Sequence, residues 1–319
     1  MIIEMTALQS AKFLRREYYY NSAREGMLDL FQNMLSEGMI HTILLPAYIG
    51  WSAKEGSGIF DPLKGLAGVN LQYYKMTPDL SIDLDDLSDR MAALDEGKFA
   101  VLVVNYFGFI DARIHEVACA IREHSGWIVE DNAHGFFTYE YADETFSDAT
   151  FFSLHKMFPF EHGGSLVVHT EPLSALTYHG QYPGPTEYNP WQYDVPGIAR
   201  ARCENYRKLE SIVSARGISE FFVPLKPEGL PEGIVPQTFP IRVVRGDRDA
   251  IYRLMNESGY GVVSLYHTLI EPLRHPDYEA SNGLSRCIMN LPVHQDVDSD
   301  RYGDMVKLLA ELCNVTGRQ

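Results

Sequence analysis

An aspartate and a lysine stand at the ends of two strands that the sequence predicts. The strand pattern at residues 127–130 ends at Asp131, and the run Ala149–Ser153 leads into His155 and Lys156. In an open α/β sheet, ligands bind at the carboxyl ends of the strands. A lysine amine in an apolar pocket or near other cations loses its proton more easily and can then attack a carbonyl. The pattern therefore predicts carbonyl chemistry at Lys156.

Pyridoxal phosphate (PLP) is the cofactor whose chemistry needs both of these groups. It attaches to a lysine amine, and an acidic side chain beside its pyridine nitrogen keeps that nitrogen protonated. Lys156 would supply the amine and Asp131 the acid. When a substrate displaces the cofactor from Lys156, the free amine would become the general base of the reaction. We therefore expect a PLP site with Lys156 and Asp131 as its catalytic residues.

One competing interpretation uses the serine that precedes the same lysine. Ser153 and Lys156 have the S-x-x-K spacing of enzymes that form an acyl intermediate on serine, with the lysine as base. Those enzymes also carry S-D-N and K-T-G motifs, neither of which occurs in this sequence. Their S-x-x-K motif opens a helix, whereas Ser153 ends a predicted strand. The cofactor interpretation is therefore favoured.

Strand and helix patterns alternate along the first part of the chain, which must position these residues. Apolar runs predict strands at residues 42–45, 71–74, 100–106, 127–131, 149–153 and 165–168. Helical spacing of apolar residues occurs at residues 22–38, 84–94 and 114–121. Such alternation predicts an α/β fold with a mostly parallel, doubly wound sheet.

The character of the sequence changes after the last of these strands. Residues 178–197 are rich in proline, tyrosine and glycine and predict a long ordered loop at a domain junction. Beyond the loop, the patterns predict helices at residues 198–214, 248–258 and 302–312, and strands at residues 237–244, 262–265 and 288–291. We expect a large PLP-binding domain over residues 1–197 and a small α+β domain over residues 198–319.

Composition and charge exclude several classes of protein. A formal net charge of −16 argues against nucleic acid or an anionic membrane as partner, since both require a basic surface. The four cysteines are far apart and form no C-x-x-C pair, so we expect reduced thiols and no metal site. No apolar stretch approaches the ~20 residues of a membrane span, and the first residues do not resemble a signal peptide. We expect a soluble cytoplasmic protein.

Several motifs of this chain match one enzyme family in type and order. Residues 153–156, S-L-H-K, are similar to the S-x-H-K motif that carries the cofactor lysine in fold-type-I PLP enzymes, and residues 131–134, D-N-A-H, resemble a D-x-x-H pyridine-binding segment. NSAR at 21–24, LLPAY at 44–48, DLSID at 79–83, VVNYFG at 103–108 and LPVH at 291–294 follow the same order. The sequence thus resembles the DegT/StrS family of sugar aminotransferases, as a divergent short member.

The resemblance implies how the cofactor phosphate is held. Asn21, Ser22 and Ala23 would bind it at the start of the first helix, where free backbone amides and the helix dipole favour an anion. Ser153 would add a hydrogen bond from its hydroxyl group. Without the resemblance, Ser22 is an ordinary helix cap and Ser153 an ordinary strand end.

The resemblance also assigns residues to the cofactor ring. His134 would contact the ring hydroxyl, although it could also cap a helix. His155 would lie beside the reactive lysine or pack nearby. An aromatic residue from the loop after the strand at 42–45 would stack on the ring, with Tyr48 and Trp51 as candidates and core packing as the alternative.

Two features depart from the family pattern. Its commonest members place the lysine two residues later, at the position of Phe158, and the segment that reaches the partner subunit is not recognisable in residues 178–197. The resemblance implies a homodimeric aminotransferase that moves an amino group from an amino acid to a keto-sugar nucleotide or a similar small keto compound. A PLP-dependent decarboxylase or dehydratase of the same fold and a non-catalytic PLP-binding regulatory protein stay open as alternatives.

Overall fold

The computed structural model describes residues 16–141, 146–181 and 188–317. The strands in these ranges are β1 (Arg16–Tyr20), β2 (Thr42–Pro46), β3 (Asn70–Tyr74), β4 (Phe99–Val104), β5 (Trp127–Asp131), β6 (Ala149–Ser153), β7 (Gly164–Val168), β8 (Phe222–Pro224), β9 (Thr238–Val243) and β10 (Ile288–Pro292). The helices are α1 (Ala23–Ser36), α2 (Phe60–Leu63), α3 (Leu84–Ala92), α4 (Ile114–Glu123), α5 (Phe136–Tyr141), α6 (Glu171–Ser174), α7 (Val195–Arg216), α8 (Arg248–Glu257), α9 (Glu279–Cys287) and α10 (Tyr302–Thr316).

Seven of the described strands form one sheet, in the order β1-β7-β6-β5-β4-β2-β3. The strands β3, β2, β4, β5 and β6 run parallel to one another, and β7 is antiparallel to both β6 and β1. Every residue of β2, β6 and β7 is buried, as expected for strands covered on both faces. The prediction of a mostly parallel α/β sheet is confirmed.

A smaller antiparallel sheet, in the order β10-β9-β8, lies in the C-terminal part of the chain. The 22-residue helix α7 precedes it in sequence. Asp194 caps this helix by accepting a hydrogen bond from the Gly197 N–H over 3.0 Å. The boundary predicted at residue 197 therefore falls within the first turn of α7, and the division into two domains stays a prediction.

Several elements differ from the sequence prediction. Residues 262–265 are not a strand, because only Val263 bridges to Asn290 and the positive φ of 61° at Tyr266 then turns the chain away from β10. The sequence patterns do not predict β1 and β8, which are short strands at sheet edges, or α9, which contains a glycine. The predicted loop at 178–197 includes residues 182–187, and the expected absence of a signal peptide concerns residues 1–15; both segments lie outside the described residues.

The C-terminal part of the chain is attached to the loop that follows β2. The Trp51 N–H donates to the Thr268 carbonyl over 2.9 Å, and the Ile270 N–H donates to the Ile49 carbonyl over 3.0 Å. Gly50 and Leu269 form an isolated antiparallel bridge between these two bonds. Residues that follow α8 are thereby brought to the carboxyl ends of the parallel strands.

The sequence predicts reduced cysteines and no membrane-spanning segment. All four cysteines lie in the described ranges, and none is in a disulfide bond. No helix in the residues that the structure covers is long and apolar enough to cross a membrane.

Gly164 marks a close approach between β7 and the start of α1. A Cβ atom at this position would lie 2.2 Å from the Ala23 nitrogen and 2.3 Å from the Ser22 carbonyl carbon. We expect Gly164→Ala to reduce the free energy of unfolding by about 1–3 kcal/mol, because backbone atoms must move apart. Chemical denaturation of the purified variant measures this change.

Gly283 provides a matched control inside α9. A Cβ atom there meets nothing within 4 Å, so Gly283→Ala gains helix propensity without a clash. We expect this variant to be unchanged or stabilised by up to about 1 kcal/mol. Equal stability of the two variants would contradict the close approach at Gly164.

Candidate active site

A cavity of about 660 Å³ opens at the carboxyl ends of the parallel strands. Its walls come from residues 22–27, 49–59, 131–134, 151–156 and 264–267. This volume lies within the range of about 300–1,000 Å³ that is typical of small-molecule sites. The cavity contains eight of the ten residues that the sequence assigns to the cofactor, namely Ser22, Ala23, Trp51, Asp131, His134, Ser153, His155 and Lys156.

Asp131 and Lys156 lie in the same cavity, as predicted from the two strand ends. Asp131 is buried, and its Oδ1 accepts a hydrogen bond of 2.8 Å from the Ala133 N–H. Burial raises the pKa of Asp131 above its ordinary value, although the Ala133 N–H and the charge of Lys156 oppose this shift. Burial also lowers the pKa of Lys156; Asp131 opposes this shift and Arg24 adds to it. The surroundings thus favour an uncharged lysine amine.

His134 links this lysine to the backbone of the turn that follows β4. Its Nδ1 accepts from the Phe107 N–H over 3.4 Å, and its Nε2 lies 3.3 Å from Lys156 Nζ. Burial and the charge of Lys156 lower the pKa of His134, so the ring is neutral. Because a backbone N–H can only donate, Nδ1 must accept, and the single ring proton is on Nε2. That proton faces Nζ, which can accept it only as an uncharged amine.

Two bulky residues in strained backbone conformations flank His134. Phe107 has a φ of 59° and Tyr266 a φ of 61°, values that large side chains rarely adopt. The Phe107 ring stacks on His134 at a centroid distance of 6.2 Å, and the Tyr266 ring meets His134 edge-on at 6.0 Å. Strain of this kind persists where surrounding contacts hold it and is concentrated at functional sites.

Ser153 and His155 lie close together beside the lysine. His155 Nδ1 is 3.3 Å from the Gly163 carbonyl oxygen and 3.4 Å from Ser153 Oγ. Because a carbonyl oxygen can only accept, Nδ1 carries a proton that these two oxygens share. The Ser153 hydroxyl then acts as acceptor toward His155, and its own proton stays available for a ligand.

Two of the three residues that the sequence predicts for phosphate binding lie at the cavity, and Asn21 does not. Ser22 caps the helix by accepting from the Glu25 N–H, and Ser22 and Ala23 line the main cavity. Asn21 instead lines a separate cavity of about 140 Å³. Its carbonyl accepts from the Gly163 N–H over 2.8 Å and its N–H donates to Glu25 Oε2 over 3.3 Å, which keeps Asn21 on the β1 side of the helix.

The two aromatic candidates for stacking lie in different places. Trp51 lines the cavity and is 42% exposed, whereas Tyr48 is fully buried and does not line the cavity. The Tyr48 ring packs against Tyr106 at 5.5 Å and against Tyr266 at 5.4 Å. Its hydroxyl has no hydrogen-bond partner in the described part of the chain. Tyr48 therefore forms part of the wall behind the cavity.

Several residues of the site are not among the sequence predictions. Arg24, Lys54 and His267 add positive charge or hydrogen-bonding capacity to the cavity, and Arg24 Nη1 is fixed by the Glu55 carbonyl over 3.0 Å. Tyr266 comes from far along the chain, and no short-range pattern marks it. Arg24 follows Ser22 within the NSAR segment, so its position at a helix start is a signal that could have found it.

A buried polar network lies behind the turn that follows Asp131. Asn105 Nδ2 donates to Glu130 Oε1 over 3.0 Å and to Asn132 Oδ1 over 2.7 Å. Ser147 Oγ donates to Glu130 Oε2 over 2.7 Å, and Thr150 Oγ1 lies 3.3 Å from the same atom. Burial raises the pKa of Glu130, while these hydrogen bonds oppose the shift. The network connects Asn105, which follows β4, with Glu130 on β5 and Thr150 on β6, and it holds the Asp131 turn in place.

Comparison with solved structures identifies the fold. A DegT DnrJ EryC1 StrS aminotransferase from Brucella abortus matches with a TM-score of 0.72 and 14% identity, over 93% of this chain and 86% of that chain. PseC from Helicobacter pylori, an aminotransferase involved in the biosynthesis of pseudoaminic acid, matches with a TM-score of 0.72 and 16% identity, over 94% and 87%. A protein from Streptococcus pneumoniae described as a sugar aminotransferase, in its PLP form, matches with a TM-score of 0.69 and 15% identity, over 94% and 87%.

The chain therefore has the fold-type-I fold of PLP-dependent aminotransferases, and the resemblance to DegT/StrS aminotransferases is confirmed at the level of the fold. Scans against protein-family models and curated proteins give no match. At identities of this size, the shared fold by itself does not carry an activity over to this chain. The activity must be argued from the side chains of the cavity.

Proposed function

We propose that this protein is a PLP-dependent aminotransferase that moves an amino group from an amino acid to a keto-sugar nucleotide or a similar small keto compound. One observation carries the proposal: Lys156 and Asp131 line the same cavity as the N-terminus of α1. An amine, an acid and an anion-binding helix end are the three features that PLP requires. Bound PLP would supply the electron sink that stabilises a carbanion on the substrate.

One group of residues that line the cavity suits the cofactor phosphate. The backbone amides at Ser22 and Ala23 begin α1, and the absence of a side chain at Gly164 leaves room for this helix start beside β7. The Ser153 hydroxyl accepts from His155, so its own proton would be free to form a hydrogen bond to the phosphate. Arg24 adds a positive charge in a protein whose net charge is −16.

A second group of residues that line the cavity suits proton transfer. Asp131, held by the Ala133 N–H, would keep a pyridine nitrogen protonated, because a carboxylate that is largely shielded from water attracts a cation strongly. Lys156 would attach the cofactor and, once released, would move a proton as the general base. His134, which faces Lys156 Nζ at 3.3 Å, would orient that amine.

The substrate class is supported by the neighbours and by the cavity. Two structural neighbours with TM-scores of 0.70 are described as sugar aminotransferases. Lys54 and His267 line the same cavity as Lys156 and would favour a substrate with anionic groups. A keto-sugar nucleotide has both the ketone and the negative charge.

The alternatives have less support from the structure. Hydrogen bonds among the described side chains pair Ser153 with His155 and Lys156 with His134, which is not the serine–lysine pairing of an acyl-enzyme. A PLP-dependent decarboxylase or dehydratase would use the same cofactor residues. Amine formation from a ketone with glutamate as donor separates the aminotransferase from these alternatives.

The first test of the proposal concerns the attachment site. We expect reaction with PLP, followed by borohydride reduction and peptide mapping, to place the label on Lys156. Because burial and Arg24 lower its pKa below the ordinary 10.5, the pH midpoint of labelling should lie below 10.5. The uncharged form is the one that reacts, so labelling should increase as pH rises through this midpoint.

Lys54 provides the control, since it lines the same cavity. Lys54→Ala should keep the label and Lys156→Ala should lose it. A label on Lys54, or no label on either lysine, would exclude the assignment of Lys156.

The role of Asp131 is tested by an isosteric change. We expect Asp131→Asn to fold and to bind PLP, but to lose about 100-fold or more of its turnover, because an amide cannot hold a pyridinium proton. Half-reactions with a panel of amino acids, followed by the absorbance of the bound cofactor, measure this loss. Turnover equal to that of the wild type in a fully loaded variant would mean that Asp131 has only a structural role.

We further propose that the protein is a cytoplasmic homodimer. Closed two-fold dimers are the commonest oligomers, and Trp191, at 58% exposure, offers an aromatic anchor in the predicted junction loop. Sedimentation velocity at assay concentration should show a dimer that Trp191→Ser weakens. Val315→Ser, a change at a comparably exposed residue of α10, should leave the dimer intact. A stable and active monomer would contradict this proposal.

A further inference from the structure

The segment of residues 264–267 carries Tyr266 into the cavity from the C-terminal part of the chain. Its backbone φ of 61° is costly for a residue of this size. Hydrogen bonds hold the segment in this conformation, since Arg248 Nη1 donates to Ser264 Oγ over 2.7 Å and His267 Nδ1 lies 2.6 Å from the Ser264 carbonyl oxygen. The placement of Tyr266 is therefore enforced by its surroundings.

The ring of Tyr266 closes an aromatic wall. Its centroid lies 5.3 Å from that of Tyr106, 5.4 Å from that of Tyr48, and 6.0 Å from those of Phe107 and His134. Of the three tyrosines, Tyr266 lines the cavity, whereas Tyr48 and Tyr106 do not. Tyr266 thus stands between the cavity and Tyr48, one of the two residues that the sequence suggests for stacking.

The loop after β2 leaves room for this ring. A Cβ atom at Gly50 would lie 2.8 Å from Tyr266 Cδ1 and 3.3 Å from Tyr266 Cα. Any other residue at position 50 would therefore push Tyr266 out of its place. The backbone bonds from Ile49 and Trp51 to residues 268–270 hold the two segments together at this contact.

The phenol of Tyr266 is uncharged, which suits a position beside the cofactor ring. Burial and the nearby charge of Asp131 raise the pKa of its phenol, so the hydroxyl stays protonated. A neutral aromatic ring packs against a flat heteroaromatic ring more favourably than a charged phenolate would, because it needs no counter-charge.

We propose that Tyr266 is the aromatic residue against which the PLP ring packs, in the place that the sequence assigns to Tyr48 or Trp51. This inference rests on the proposed function. It means that the C-terminal part of the chain completes the cofactor site within the same subunit. It also explains why a tyrosine is kept in a strained conformation at this position.

The test compares PLP affinity across four variants, measured by spectral titration of the apoprotein. Tyr266→Ala should weaken the binding of PLP by about 3- to 10-fold and shift the absorption maximum of the bound cofactor. Tyr266→Phe keeps the ring and should stay within about twofold of the wild type. Tyr48→Phe should leave both affinity and spectrum unchanged, and Trp51→Ala should weaken binding less than Tyr266→Ala does. Tyr266→Leu keeps the bulk without the aromatic ring and replaces the alanine variant if that variant does not fold.

Each contrary outcome has a distinct meaning. Unchanged affinity in Tyr266→Ala would overturn the inference. A larger loss of affinity in Trp51→Ala than in Tyr266→Ala would also overturn it and would assign the stacking to the loop after β2. Tighter binding in Tyr266→Ala would also overturn it, because Tyr266 would then obstruct the site. In each of these cases the wild type still binds PLP, so the proposed function stands. A wild-type protein that takes up no PLP would overturn both proposals.

Discussion

The site depends on holding an acid and an amine out of bulk water at the ends of adjacent parallel strands. The pairing of Asp131 with Phe151 sets the register of β5 against β6, and Lys156 follows within one turn of the end of β6. Burial acts on the two groups in opposite senses, raising the pKa of Asp131 and lowering that of Lys156. Each shift favours the uncharged form of the side chain. A ligand that brings an opposite charge next to either group would favour its charged form.

The surrounding structure can be understood as support for this pair. The network around Glu130 holds the turn after Asp131 from behind, and Phe107 and Tyr266 enclose His134 from the sides. Such enclosure excludes water and strengthens every electrostatic interaction within the cavity. The cost is visible in the backbone of Phe107 and Tyr266, two large residues with positive φ whose rings both lie against His134.

Anion binding in this acidic protein is a local property. The start of α1 presents free amides and a positive dipole end, and Arg24 lies in its first turn. Both are brought to the cavity because β7 approaches α1 closely at Gly164. A net charge of −16 therefore does not prevent the binding of an anionic ligand, since the field inside the cavity is set by groups a few ångströms away.

Local patterns in the sequence were sufficient to predict the parallel strands, the helix start at Ser22 and the strand-end positions of Asp131 and Lys156. These features depend on the period of apolar residues and on capping, which are short-range. Three features were not predictable in this way. Tyr48 is buried, Asn21 lines another cavity, and Tyr266 reaches the main cavity from the C-terminal part of the chain. They depend on how residues 49–51 pair with residues 268–270 and how residue 163 bonds to residue 21, and such contacts between distant segments exist only after the chain has folded.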